Sequence, residues 1–208
     1  MAEALQKPSS APNTVKVKGK FELDGKSVSG FRIEPCSFRQ FAKATEAAQS
    51  DATEFAKALT RHLIKAMVTV EFKDGNSRKI AESEVPALPV KEALEITNLV
   101  GTDQRQGGEV TGGGNGIDSP LLFKLGTPIK FQTGVVKELE FRAQTFGDIE
   151  GVVALDNSVA QAVELIQKCA TPLGKDITLI ALPDTALDAM AAEDGIAIIR
   201  DVLPGFLG

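Results

Sequence analysis

The chain has 208 residues, 43% hydrophobic and 25% charged, so it is long enough for one medium or two small hydrophobic cores and too apolar for global disorder. It contains 11 Phe, no Trp, no Tyr, one His and two Cys, which argues against a zinc site. The net charge is −5, and residues 101–208 carry 8 basic and 15 acidic side chains. Neither half has the clustered basic face typical of nucleic-acid binding, so we expect no nucleic-acid partner.

The N-terminal residues 1–13 are polar and rich in Pro and Ser, which predicts a flexible arm without the apolar core of a secretory signal. No run approaches the roughly 18 apolar residues of a membrane span, so we expect no membrane partner. The two cysteines, Cys36 and Cys169, are far apart in the sequence. A reducing cytoplasm is therefore the expected compartment.

A β-hairpin is predicted after the arm. The segments VKVKGKFEL and SVSGFRI alternate apolar and polar residues on either side of a turn signal at Asp24-Gly25. Ser37 and Gln40 then stand three apart, as in a capping box, in which a serine oxygen accepts bonds from the free N–H groups that open a helix. This combination predicts a hairpin followed by a helix.

A second capping box, Asp51 to Glu54, opens a longer predicted helix with an apolar stripe at spacings of three and four. The segments VTVEF and RKI around Asp74-Gly75 predict another hairpin, and ALPVKEALEITNLV predicts a helix after its proline. These elements form a first predicted unit over residues 14–100.

Residues 101–119 contain seven glycines and almost no apolar residue, which predicts a flexible linker. Beyond it the same order of elements starts again. GTPIKF and VVKELEF predict strands, Thr145 caps a helix, and a second helix follows. A last helix runs towards Leu203 and is ended by Pro204, which completes a second predicted unit over residues 120–208.

The second unit matches the first at a shift of 108 residues without gaps. The matched pairs are Val28 with Val136, Phe31 with Leu139, Ile33 with Phe141, Ser37 with Thr145, Phe38 with Phe146, and Phe41 with Ile149. Further on, Ala87-Leu88-Pro89 recurs as Ala181-Leu182-Pro183. The predicted fold class is therefore α+β, with two tandem copies of a small unit made of a β-hairpin followed by two to three helices and joined by the Gly-rich linker.

Few residues are candidates for chemistry. His62 lies on the apolar stripe of its helix. It could be a general base or a ligand, but the favoured interpretation is a histidine packed in the core or at its boundary. Cys36 precedes a helix N-terminus, which lowers thiol pKa values, but it lacks a partner base motif and its counterpart is Gln144. Cys169 lies on an apolar stripe and behaves as a small hydrophobe.

Two further patterns have a functional and a structural interpretation. The tract GGGNG lacks the Gly-Lys-Ser/Thr of a phosphate-binding loop, so a flexible linker is favoured. Acidic residues of the second half offer a metal or acid–base site in principle, but a solvated surface is the favoured interpretation. They are Glu138, Glu140, Asp148, Glu150 and Asp156. We therefore predict no enzyme, with no catalytic residues, metal or cofactor.

Apolar residues of the C-terminal segment are the candidates for partner contact. Two small units with long amphipathic helices leave apolar grooves that accept partner helices or oligomerise, so a homo-oligomer is one expected assembly. Core packing is the alternative for most of these positions. The partner-binding candidates are Ile198, Val202, Leu203, Phe206 and Leu207.

The second unit resembles the phage tail assembly chaperone family of contractile-tailed, Mu-like phages. The resemblance covers about residues 121–208 and runs through a "pI" strand, a strand ending in an "lR.pt.gD" pattern, a helix, an "l…D" start to the last helix, and a terminal "FL". The matching positions are Pro128, Ile129, Leu139, Phe141, Arg142, Thr145, Gly147, Asp148, Leu182, Asp184, Phe206 and Leu207. The first unit departs from it at Glu34, Arg39 and Gln40, where the second has Arg142, Gly147 and Asp148.

The resemblance implies a binding role during phage tail morphogenesis. Members of the family bind the tape-measure protein, a long and largely helical chain, and keep it soluble while the tail tube polymerises. The implied partners are the tape-measure protein or other tail proteins, and the implied location is the host cytoplasm during assembly. The alternative is a permanent structural subunit of the tail or baseplate, built from duplicated chaperone-like units and located in the virion tail.

Overall fold

The computed structural model describes residues 12–50, 53–102, 107–175 and 177–207. The chain is α+β, as predicted, with helices and two antiparallel sheets. The described residues fall into two compact units, here named the N-unit (12–36 and 43–102) and the C-unit (37–42 and 107–207). Most of the predicted N-terminal arm lies outside the described residues.

The N-unit contains a sheet of strand order β1-β3-β4-β5, with a short strand β2 also paired to β3. Its strands are β1 (Asn13–Lys16), β2 (Glu22–Leu23), β3 (Lys26–Ile33), β4 (Val68–Phe72) and β5 (Ser77–Lys79). Its helices are α2 (Phe55–Met67), a 3-10 helix (Glu82–Ala87) and α3 (Val90–Thr102), together with residues 43–49 of α1 (Phe38–Gln49). Phe31, Ile33, Met67, Ile80 and Ile96 are among its fully buried side chains.

The C-unit contains a sheet of strand order β6-β7-β8-β9. Its strands are β6 (Glu109–Gly113), β7 (Leu121–Phe131), β8 (Gly134–Phe141) and β9 (Ala170–Lys175). Its helices are α4 (Phe146–Val153), α5 (Ser158–Cys169), α6 (Ala186–Ala189), α7 (Ala192–Asp201) and α8 (Leu203–Leu207), together with the start of α1. Phe38, Phe123, Leu139, Phe141 and Leu165 are among its fully buried side chains.

The two sheets repeat one scheme of strand pairing at a constant spacing of 108 residues. The pairs Asn13–Ile33, Val15–Phe31 and Glu22–Ser27 of the N-unit recur in the C-unit as Leu121–Phe141, Phe123–Leu139 and Lys130–Val135. A one-residue slip would turn every side chain to the opposite face, so a matching register places matching residues in each core.

The strand that follows the helix pair repeats as well. Strand β4 pairs with β3, and β9 pairs with β8, directly after α2 and α5 respectively. An irregularity between Val28 and Gly30 on β3 recurs between Val136 and Glu138 on β8. β-Bulges are specific features of a fold, so the two sheets agree in this detail as well as in register, and the duplication stays a prediction. The units differ at their edges, where β5 adjoins β4 and β6 adjoins β7.

The structure corrects the predicted flexible linker at residues 101–119. Within that range, α3 extends to Thr102 and Glu109–Gly113 form strand β6. Several of its glycines are required for close packing, although Gly112 has open space where a Cβ atom would lie. At Gly116, φ is +85° and a Cβ atom would lie 2.1 Å from the Phe206 ring. Residues 107–119 of this Gly-rich segment are therefore a structured part of the C-unit, and residues 103–106 lie outside the described residues.

The structure confirms the predicted capping box that opens α1. The Ser37 N–H donates to Gln40 Oε1 over 3.0 Å, and the Gln40 N–H donates to Ser37 Oγ over 3.2 Å. The second predicted box falls partly outside the described residues, at Asp51. Its other member, Glu54, precedes α2 without a side-chain cap bond and instead pairs with Lys57.

We expect Ser37→Ala to lower the free energy of unfolding by about 1 kcal/mol, because an opening N–H of α1 loses its acceptor. Urea unfolding followed by circular dichroism measures the change. Ser50→Ala is the matched control, since the Ser50 hydroxyl donates to a carbonyl at the exposed other end of α1. An equal loss in the two variants would contradict the capping role of Ser37.

Candidate partner-binding surfaces

The predicted partner contacts at the C-terminus are corrected by their burial. Ile198, Val202, Leu203 and Phe206 are all buried within the C-unit, whereas Leu207 is exposed. The Phe206 ring lies against Gly116, so the terminal helix α8 packs on the turn before β7. Pro204 does not end the chain's helical structure, because a proline is tolerated in the first turn of a helix such as α8. Four of the five candidates are therefore core residues.

Helix α4 has an exposed apolar face. Phe146 opens the helix and is 66% exposed, and Val153, seven residues on and on the same side, is 50% exposed. Leu155, just beyond the helix, is exposed as well, whereas Val152 is buried on the opposite side. We name Phe146, Val153 and Leu155 the α4 face.

Helix α3 of the N-unit also exposes apolar side chains. Val90 is 78% exposed and Leu94, four residues later, is 62% exposed, so both lie on one side of the helix. The other side buries Ile96 and Val100. The rest of the outer side is polar, as in an ordinary amphipathic helix, with Lys91, Glu95, Thr97 and Asn98 exposed. We name Val90 and Leu94 the α3 face.

The counterpart of Phe146 at the start of α1 has the opposite environment. Phe38 is 0% exposed and its ring packs on Gly195, where a Cβ atom would lie within 1.9 Å of it. The Phe38 N–H donates to the Met190 carbonyl over 2.8 Å, and Ser37 forms a β-bridge with Ala191. We name this position, made by residues 184–195 of the C-unit, the Phe38 seat.

An arginine strengthens the Phe38 seat. The Arg39 guanidinium lies 2.7 Å from an Asp184 carboxylate oxygen and 3.1 Å from one of Asp188. The Asp184 bond raises the pKa of Arg39 above its ordinary value, and this side chain is half-buried. The N-terminal turn of α1 is therefore held by an aromatic ring, a backbone bond and ion pairs.

A buried carboxylate, Asp194, connects α7 to the sheet of the C-unit. It is 0% exposed and accepts backbone N–H bonds from Gly108 and Gly126 over 2.7 Å and from Thr127 over 3.1 Å. Burial raises the pKa of Asp194, and the three bonds oppose that rise. Because all three donors are backbone groups, the sequence pattern did not indicate this site.

The residues considered for chemistry are placed apart. His62 Nδ1 lies 3.4 Å from a Glu82 carboxylate oxygen on the 3-10 helix. Cys36 and Cys169 are buried and are not joined in a disulfide. Among the acidic residues of the second half, Glu138 and Glu140 lie partly exposed on β8 and Asp148 caps α4; Glu150 and Asp156 are exposed.

The thiol of Cys169 is protected from reaction in the folded chain. Burial raises the pKa of Cys169 to about 11, and the charges of Asp148 and Glu164 add to the rise. We therefore expect both cysteines to resist a thiol reagent at pH 8 in the native protein and to react on unfolding, since the thiolate is the nucleophile. Reaction with Ellman's reagent across a urea titration measures this. Rapid reaction of two thiols in native buffer would contradict the burial.

Asp148 closes the predicted cap at Thr145. Its carboxylate accepts the N–H groups of Gln144 over 2.9 Å and Thr145 over 2.8 Å, and the Thr145 hydroxyl over 3.1 Å. These bonds, led by the Thr145 N–H, lower the pKa of Asp148 below its ordinary value of 3.8. Asp148 and Thr145 therefore form the same kind of cap as Gln40 and Ser37.

We expect Asp148→Asn to destabilise the fold at neutral pH, with a difference from wild type that shrinks in acid. The folded pKa lies below the unfolded one, so the ionised carboxylate stabilises the fold above the unfolded value, and this contribution is lost as pH falls through the folded pKa. Urea unfolding of both proteins between about pH 7 and pH 2 measures the difference. A difference that stays constant to the acid limit would contradict the cap.

Comparisons with protein-family models, with curated proteins and with solved structures found no match for this chain. Within the described residues, no group of three or more His, Cys, Asp or Glu side chains is placed to hold a metal ion. Over the same part of the chain, each helix is too short or too polar to cross a membrane. The α3 face and the α4 face are the candidate binding surfaces, since each groups exposed apolar side chains on one helix.

Proposed function

We propose that the chain is a phage tail assembly chaperone-like protein that binds the tape-measure protein or other tail components during tail morphogenesis. The observation that carries this proposal is the α4 face, which lies inside the segment that resembles the family. Residues of the family pattern lie in the core of the same unit and at the start of α4. Ile129, Leu139 and Phe141 are buried in the sheet, Thr145 and Asp148 cap α4, and Leu182 and Phe206 are buried beside the last helices.

Exposed apolar helix faces suit a long helical client. An apolar stripe of a partner helix gains free energy when it covers side chains such as Phe146 and Val153, and packed helix faces are a common mode of peptide recognition. The net charge of −5 keeps a loaded complex soluble. This binding takes place in the host cytoplasm while the tail is assembled.

Co-expression with the tape-measure protein of the same tail tests the client. We expect wild type to co-purify with that protein and to increase its soluble fraction, and Phe146→Asp to lose at least about tenfold of this effect. Ile180→Asp is the matched control, because Ile180 is 89% exposed but lies in the loop before α6. Equal recovery of the client with both variants would overturn the α4 face as its binding surface.

The alternative is a permanent subunit of the tail or baseplate. It is favoured by the presence of two exposed apolar helix faces, one in each unit, since a subunit embedded between neighbours would bury both. Mass spectrometry of purified virions separates the two functions. Stoichiometric presence in mature particles would overturn the transient chaperone, and absence would overturn the structural subunit.

A further inference from the structure

The two matching helix starts differ in what covers them. Phe38 and Phe146 are equivalent in the 108-residue register, and both follow a capping box. Phe38 is fully buried in its seat, whereas Phe146 is 66% exposed. Phe146 is exposed at the position where its counterpart Phe38 is buried. This difference indicates that Phe146 makes its contact with another molecule.

The counterpart of the Phe38 seat is found from the second repeated motif. Ala87-Leu88-Pro89 precedes α3 as Ala181-Leu182-Pro183 precedes the seat. At that spacing Gly101 of α3 corresponds to Gly195, on which the Phe38 ring packs. Val90, Leu94 and Gly101 fall on one side of α3, at helical spacings of four and seven. The α3 face is therefore the equivalent of the seat, and it is exposed.

The two exposed faces differ from the seated contact in one respect. The seat is interrupted between α6 and α7, which allows the β-bridge at Ala191, whereas α3 is continuous. A contact on α3 is thus made through side chains. Charged side chains border both faces: Lys91 and Glu95 are exposed on α3, and Glu150 is exposed on α4.

We propose that the α4 face of one chain docks on the α3 face of a second copy. Each copy then presents one face to the copy before it and the other to the copy after it, which makes the contact heterologous and the assembly head-to-tail. The contact of Phe38 with its seat indicates which surfaces pair. Phe38 corresponds to Phe146, and the seat corresponds to the α3 face, so the α4 face of a second copy is the occupant of the α3 face. The proposal does not depend on the phage function, since it concerns the purified chain alone.

Sedimentation velocity of the pure protein tests this self-association. A contact of a few apolar side chains is a small interface, so we expect the average mass to rise between about 10 µM and about 1 mM. Phe146→Asp and Leu94→Glu should each abolish the rise. Both positions are exposed, aspartate suits a helix N-terminus and glutamate suits a helix interior, so each variant keeps its fold. Ile180→Asp should associate as wild type does.

Mixing the two variants distinguishes a head-to-tail contact from a symmetric one. Phe146→Asp keeps a working α3 face and Leu94→Glu keeps a working α4 face, so an equimolar mixture should form 1:1 dimers and nothing larger. A wild type that stays monomeric at about 1 mM would overturn the proposal. Association of Leu94→Glu alone would overturn it as well, as would a mixture that remains monomeric.

Discussion

Replacing Asp194 by alanine should lower the free energy of unfolding by about 3 to 5 kcal/mol. The carboxylate accepts three backbone N–H groups, from Gly108, Gly126 and Thr127, at a fully buried position. Alanine leaves these donors without an acceptor, and each unsatisfied buried donor is costly. Urea unfolding by circular dichroism measures the loss, and the transition midpoint should shift without a change in the folded spectrum.

Asp201→Asn is the matched control for this prediction. Asp201 ends the same helix, is partly exposed and pairs with its neighbour Arg200. A surface pair of this kind contributes about 0 to 1 kcal/mol, so the control should stay close to wild type. An Asp194→Ala protein within about 1 kcal/mol of that control would contradict the role of the carboxylate.

Phe38→Ala should lower the free energy of unfolding by about 3 to 5 kcal/mol, whereas Phe146→Ala should change it by less than about 0.5 kcal/mol. The positions match in register, yet Phe38 is buried on Gly195 and Phe146 is exposed. The alanine at position 38 opens a cavity between packed elements, which the surroundings fill only in part. The measurement is urea unfolding at about 1 µM, where self-association is negligible.

Phe38→Leu serves as the control for cavity formation. Leucine keeps most of the buried volume, so we expect a smaller loss than with alanine, of about 1.5 kcal/mol. The order of stability should be wild type, leucine, then alanine at position 38. Similar losses for alanine at positions 38 and 146 would show that the two environments do not differ as the structure has them.

Much of the local structure was predictable because its signals are local. Asp24-Gly25 and the alternation around it predict the β2–β3 turn, and the structure has Gly25 at φ +71°. The Ser37 and Thr145 caps are short-range hydrogen bonds between residues three apart in the sequence. Their energetics depend little on distant parts of the chain, so the sequence pattern is sufficient.

Strands β6 and β9 were not predicted, because their residue types depend on tertiary packing and not on a local pattern. Strand β9 contains Pro172 and Gly174, which disfavour a central strand but are tolerated at the sheet edge where β9 lies. Strand β6 and its turn are rich in glycine because backbone and ring atoms approach closely there, as Phe206 approaches Gly116. Composition alone cannot separate close approach from flexibility, since glycine serves both.

The sequence pattern also did not indicate which apolar helix residues are exposed. Ile198 and Val202 lie on an apolar stripe. That pattern is typical both of a core helix and of a partner-binding surface, and the fold buries both residues. Val90 and Leu94 lie in a segment whose pattern predicts a helix, and the fold leaves both side chains exposed. Which side of a helix meets the sheet depends on where the neighbouring elements lie, and periodicity does not contain that information.

Length and composition by themselves predicted a folded chain with few groups for chemistry, and the periodicity of its segments predicted the α+β class. The internal match at 108 residues predicted a repeated unit, because strand alternation and caps are local properties that two similar sequences share. Only the tertiary structure decided that Phe38 is buried while Phe146 is exposed, and that the eleven-phenylalanine composition serves both core and surface. Burial depends on what surrounds a residue in the fold, so two similar local patterns can place the same phenylalanine in the core or at the surface.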